Sequence, residues 1–126
     1  MPKKKKQGSI TVPNKNLVHP HEIIAATVLS WTGYDVEFLP TGEIHSADII
    51  YRGKIWEIKS PIGNKRRTIE NNLRAALNQS VNVIIDLSRI KMDETKAIRE
   101  ITKQVKLARR LKSAIIITKN QKIIEL

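Results

Sequence analysis

The sequence predicts a single α/β domain in which helices flank one mixed β-sheet. Two observations point there. Stretches of helical period alternate with β-branched runs, in the order helix, three strands, helix, strand, helix, two strands. Asn82 to Leu87 is an apolar, β-branched run, the pattern of a strand buried on both faces. A chain of 126 residues is long enough for one domain with a real core.

The elements follow in order. Residues 1–16 hold five lysines, no acids and almost no apolar periodicity, which predicts a flexible basic arm and leaves 17–126 as the domain. From His21 to Trp31, the residues Ile24, Val28 and Trp31 recur beside Ala25 and Leu29 at helical spacing. Pro20 suits the first turn of that helix and Gly33 its end. Asp35 to Leu39 reads as a strand, and Pro40-Thr41-Gly42 turns the chain. Asp48 to Lys59 forms two short strands around a tight Arg52-Gly53 turn. Ser60-Pro61-Ile62-Gly63-Asn64 breaks the second strand, and Thr68 can cap a helix over residues 69–79. After the buried run, Asp93 to Leu111 is amphipathic and helical. Ala114 to Thr118 and Lys122 to Glu125 make a final strand pair joined at Asn120-Gln121.

The hairpin carries the chemistry. If Tyr51 pairs with Lys54 across the turn, Ile50 faces Ile55, Ile49 faces Trp56, and Asp48 lies directly opposite Glu57. Directly paired residues have Cβ atoms roughly 4.5–5.5 Å apart, so two carboxylates there repel. A hard divalent cation between them relieves the repulsion, because such ions take carboxylate oxygens. Side chains alternate along a strand, so Glu57 and Lys59 share a face while Trp56 and Ile58 turn towards a core. An acid pair, a lysine and a metal on one sheet face is an arrangement for metal-assisted phosphodiester hydrolysis.

Charge and composition agree with a polyanionic substrate. Twenty-three lysines and arginines stand against 12 acids, a net charge of +11 with a pI near 10.1. An anionic membrane surface would also attract such a chain, but no apolar run approaches the roughly 18 residues of a spanning helix. The N-terminus lacks the apolar stretch of a secretory signal. The absence of cysteine excludes disulfides, thiolate nucleophiles and cysteine-ligated zinc.

The pattern Asp48, then Glu57-Ile58-Lys59, resembles the PD-(D/E)XK nuclease superfamily, with Ala47 where its proline often sits. A helix carrying the acid Glu22, followed by a strand and then the hairpin, is similar to that superfamily's lead-in. The segments His21-Glu22, Gly33-Tyr34-Asp35-Val36, Trp56-Glu57-Ile58-Lys59-Ser60 and Gln79 to Asp86 further resemble the CdiA-type tRNase toxin domain of bacterial contact-dependent growth inhibition. That likeness spans about residues 19–126. It implies a PD-(D/E)XK nuclease-like core, with Asp48, Glu57 and Glu22 as metal ligands and Lys59 as the fourth catalytic residue. It implies a divalent metal, Mg²⁺ first, with Mn²⁺ or Zn²⁺ as alternatives. It also implies a tRNA substrate, a small acidic immunity protein as partner, and action in the cytoplasm of a bacterial target cell.

Residue spacing alone does not separate RNA from DNA. A DNA nuclease or junction resolvase would use the same acids and lysine, and a non-catalytic nucleic-acid-binding domain would carry the same charge. Few aromatics are available to stack unpaired bases: Trp31, Tyr34, Phe38, Tyr51 and Trp56. A folded RNA read by shape and backbone fits that scarcity.

Other residues have two readings each. Glu22 is either a metal ligand or a first-turn acid that favours the helix dipole. His19 and His21 lack the spacing of a zinc site and read as surface residues, while His45, three residues before Asp48, either approaches the cleft or is a surface residue too. Lys65, Arg66 and Arg67 either grip phosphates beside the metal or serve solubility. Asn72 and Gln79, seven apart on one helix, either face the cleft or are surface amides. Lys96, Arg99, Lys103, Lys106 and Arg110 alternate by three and four, opposite Ile98, Ile101, Val105 and Ala108. That stripe is a solvated face, a phosphate track, or a dock for an acidic protein.

Overall fold

A β-hairpin and three parallel strands share one sheet because a single strand belongs to both. The computed structural model describes residues 6–13, 18–40 and 47–126. Its elements are β1 (Ile10–Thr11), α1 (Pro20–Ser30), β2 (Val36–Phe38), β3 (Ile49–Tyr51), β4 (Lys54–Lys59), α2 (Thr68–Leu77), β5 (Asn82–Asp86), α3 (Glu94–Leu107), β6 (Ser113–Ile117) and β7 (Ile123–Glu125). The seven strands lie in sequence order, β1 to β7. β2, β3 and β4 form an antiparallel meander, β4, β5 and β6 run parallel, and β7 returns antiparallel. The architecture is a single mixed α/β domain with a curled sheet and three helices.

The hairpin register is the expected one, with Tyr51 opposite Lys54, Ile50 opposite Ile55 and Ile49 opposite Trp56. Arg52 and Gly53 both take positive φ, 54° and 73°, which matches the right-handed twist of the flanking strands. Glycine adopts that conformation without steric cost, and Arg52 is held in it by an ion pair with Glu125 on β7.

Two cores follow from the alternation of side chains. On one face, Ala25, Ala26, Val28 and Leu29 of α1 pack on Val36, Phe38, Ile49, Tyr51, Trp56, Ile58 and Ile84. On the other, Ile69 and Leu73 of α2 and Ala97 and Ile101 of α3 cover Val83, Ile85 and Ile116. Each helix that links two parallel strands returns over the same face, as right-handed crossovers require. β5 from Val83 on, and Leu87 just after it, are buried, as the composition of that run predicts. Trp56 donates its indole N–H to the Tyr51 carbonyl at 2.8 Å, and the Tyr51 hydroxyl meets Thr32 Oγ1 at 2.8 Å, so both buried aromatics have their polar ends satisfied.

Three expectations are corrected. The basic arm gives way to order at residues 8–11. Gly8 N–H donates to the Ser30 carbonyl at 2.8 Å, Ser9 N–H donates to the Asp35 carboxylate at 2.8 Å, and Ile10 and Thr11 pair parallel with Val36 and Glu37. Residues 1–5 and 14–16 of that arm lie outside the described residues. Of the apolar positions expected at helical spacing, Ile24 and, just past the end of α1, Trp31 stand about half exposed, and the buried face runs through Ala25, Ala26, Val28 and Leu29. α3 stops at Leu107 rather than Leu111. Ala108 turns extended (φ −89°, ψ 91°), and Lys112 N–H then donates to the Val81 carbonyl at 2.8 Å, which delivers Ser113 to its place beside Asn82.

Candidate active site

Parallel strands place their carboxyl ends together, and open α/β sheets bind ligands at such an end. Here the register sets Lys59 beside Ile85 and Asp86 beside Ile117, so β4, β5 and β6 finish along one edge. Asp48 enters the same region from the start of β3.

Asp48 is not a regular ladder partner of Glu57, contrary to the direct pairing expected. The ladder ends at Ile49 and Trp56. Asp48 N–H donates to the Trp56 carbonyl at 3.0 Å, and its carboxylate accepts the Ile58 N–H at 2.7 Å. The side chain therefore reaches across the strand end and straddles Glu57. The two acids still meet, close enough to hydrogen-bond when one is protonated.

Glu57 is the most unusual group in the chain. Its strand partner Val83 belongs to the core under α2, and the residue is only 6% exposed. Oε2 lies 3.4 Å from Lys59 Nζ, while Oε1 is buried with no hydrogen-bond partner. Burial, then the charge of Asp48 and a hydrogen bond with it, push the carboxyl up to about 8, against a smaller opposing pull from Lys59. A neutral acid near neutral pH, or an anion with a cation beside it, satisfies this geometry. The donor set of two carboxylates, one with a buried orphan oxygen, fits a hard divalent ion.

Asp48, Glu57 and Lys59 are thus brought together. Glu22 does not join them: its carboxylate accepts the His19 N–H at 3.3 Å at the start of α1, and no three His, Asp or Glu side chains cluster as a metal site among the described residues. Lys65 and Arg66 are exposed in the turn before α2, and Arg67 is engaged with Glu70 at 3.1 Å. Asn72 donates its amide to the Thr68 carbonyl at 2.8 Å, inside its own helix. Gln79 lies beyond the end of α2, so the two amides do not share the helix face expected of them. Lys96, Arg99, Lys103 and Lys106 are exposed along α3. Arg110 is corrected, because it lies past the helix end and donates to the Leu77 carbonyl at 3.1 Å. His45 lies outside the described residues.

The sequence reading missed a second group at this sheet end. Asp86, 1% exposed, accepts the Ser88 N–H at 3.0 Å and the Ser88 hydroxyl at 3.1 Å. Arg89 donates from Nε to Ser60 Oγ at 3.1 Å and from Nη2 to the Ser60 carbonyl at 2.9 Å. His21 sits near both; partial burial and then the Arg89 charge hold its imidazole below the usual range, opposed by Glu22 and Asp86. The signal was positional: Asp86 closes a strand expected to lie inside the sheet, and Ser88 and Arg89 follow it directly.

Fold and site together define a strongly basic mixed α/β domain with a buried acid, a second, half-buried acid against it and a lysine at the sheet end. The chain belongs to the contact-dependent growth inhibition CdiA C-terminal domain family, which it matches over residues 45–123. Among solved structures, its fold is similar to that of a CdiA-CT/CdiI toxin and immunity complex from Burkholderia pseudomallei. The TM-score is 0.71 at 19% identity, covering 94% of this chain and 98% of that one. No curated protein matches the sequence. Among the described residues, no helix is long and apolar enough to cross a membrane.

Proposed function

We propose that this domain is a divalent-metal-dependent endoribonuclease of the PD-(D/E)XK type that cleaves tRNA. It serves as the toxin of a growth-inhibition system, enters the cytoplasm of a target bacterium, and is neutralised by a cognate immunity protein. The observation that carries the nuclease reading is Glu57. A buried carboxyl with an unpartnered oxygen, set against Asp48 and 3.4 Å from Lys59, is costly to the fold and has no structural use. The family and the toxin–immunity complex of similar fold support the biological setting.

Asp48 and Glu57 would hold the ion, Mg²⁺ first and Mn²⁺ or Zn²⁺ as alternatives. When bound, the ion polarises the phosphate and lowers the pKa of a water. Asp48 is pinned by the Ile58 N–H, so one carboxylate is fixed in place before any substrate arrives. Lys59, partly exposed beside Glu57, offsets the negative charge that builds on the phosphate. Arg66 and the α3 lysines give the sequence-independent attraction to the RNA backbone.

The test is cleavage of purified tRNA, duplex DNA and branched DNA with chelator, Mg²⁺, Mn²⁺ or Zn²⁺, comparing wild type with Glu57→Gln. Metal-dependent cutting of tRNA that the variant lacks supports the reading. Cutting of DNA alone would replace the substrate, and cutting of tRNA by both proteins would overturn the site.

A further inference from the structure

We propose that Arg89 is a phosphate-positioning residue, with Ser60 as its anchor, at the carboxyl end of β4 and β5; the proposal rests on the nuclease reading above. The argument begins with position. Ser60 directly follows Lys59, and Arg89 follows β5, so their hydrogen bonds tie the ends of two adjacent parallel strands together. Both bonds come from one edge of the guanidinium, at 3.1 and 2.9 Å. The planar group has five N–H donors in a rigid fork, so the remaining ones, which have no partner among the described residues, point in a fixed direction.

Charge is the second part. Every ion pair among the described residues involves other cations: Arg52, Lys59, Arg67 and Arg74. The nearby acid, Asp86, spends its carboxylate on the Ser88 N–H and hydroxyl. Arg89 therefore pairs directly with no carboxylate among the described residues, and its exposed side chain is held by Ser60 at the sheet end. Holding Ser60 occupies one edge of the guanidinium and leaves its other edge and its charge available to a ligand. A fork fixed one residue from Lys59 suits a phosphate oxygen of a nucleic-acid backbone, because guanidinium–phosphate pairs are bidentate and charge-assisted.

The test separates charge from pin. Arg89→Gln keeps a neutral donor for the Ser60 carbonyl, Arg89→Lys keeps the charge without the fork, and Ser60→Ala removes only the hydroxyl contact. Affinity for purified tRNA is measured across salt in a Glu57→Gln background, where cutting cannot interfere, and cleavage is measured in the otherwise wild-type chain. Arg89→Gln is expected to weaken tRNA binding about tenfold and to make the salt slope shallower by roughly one counterion. Arg89→Lys should recover the slope but not the cleavage rate, and thermal midpoints should stay within those of the parent. Parental affinity and slope in Arg89→Gln would overturn the proposal and leave Arg89 as a pin. Failure of the wild type to cleave either tRNA or DNA would remove the nuclease reading, whereas the binding series would still decide whether Arg89 meets backbone phosphate.

Discussion

Glu57→Gln should change how stability depends on pH more than any other single substitution in this chain. The folded state holds the Glu57 proton up to about 8, whereas the unfolded chain releases it near 4.5. Between those values the folded protein binds more protons than the unfolded one. Stability is therefore fully present at the acid end and drains as pH rises through the window. At about 1.36 kcal/mol for each pH unit between the two values, the loss is on the order of 3–5 kcal/mol, the lower figure allowing for water at the open end of the sheet. The glutamine has nearly the same shape and no charge to desolvate, so its profile should lack this fall. Urea unfolding in chelator from about pH 5 to about pH 9 reads both curves. They should coincide at the acid end and separate by several kcal/mol at the alkaline end, with the variant the more stable. Adding Mg²⁺ at the alkaline end should restore the wild type by mass action and leave the variant unmoved. Parallel profiles would refute the reasoning, because they would mean that Glu57 pays no desolvation penalty and that its orphan oxygen is hydrated.

Metal titrated into wild type, Asp48→Asn, Glu57→Gln and the double variant should show that either single change removes nearly all metal-induced stabilisation; additive losses in calorimetry would mean that the two acids do not share an ion. Lys59→Ala should abolish cleavage with the fold intact, and should raise the Glu57 carboxyl further by removing the one group that pulls it down, a shift readable by NMR titration. Deleting residues 1–7 removes four lysines, and should flatten the salt dependence of tRNA binding by at most about 3–4 counterions. Cleavage at low salt should survive, and loss of it in a folded truncation would place the arm in the site.

Much of the fold was legible because its determinants are local. The Arg52-Gly53 turn fixes the register of β3 with β4, since a two-residue loop with two positive φ angles leaves one pairing available. The run from Val83 to Leu87 declared its burial through its own side chains. Asp48, Glu57 and Lys59 were found for the same reason, as alternation along two short strands brings them to one place. The environment of Glu57 was not legible: its buried, unpartnered oxygen depends on α2 closing back over β4, a packing contact between two elements that neither segment's own pattern specifies. Asp48 was expected opposite Glu57, but the strand end kinks because the Asp48 N–H and carboxylate both take main-chain partners on β4. The end of α3 was hidden because apolar spacing continues through Ala108 and Leu111, while the parallel pairing of Ser113 with Asn82 requires the chain to leave the helix earlier. Arg89 and Ser60 are 29 residues apart, and only a parallel sheet, whose crossovers align strand ends, makes them neighbours. Sequence by itself determined the strands, their local register and the acids they carry. Tertiary packing decided which acid is buried, which strand ends meet and where α3 must stop, because burial and long-range pairing are properties of the closed sheet rather than of any one segment.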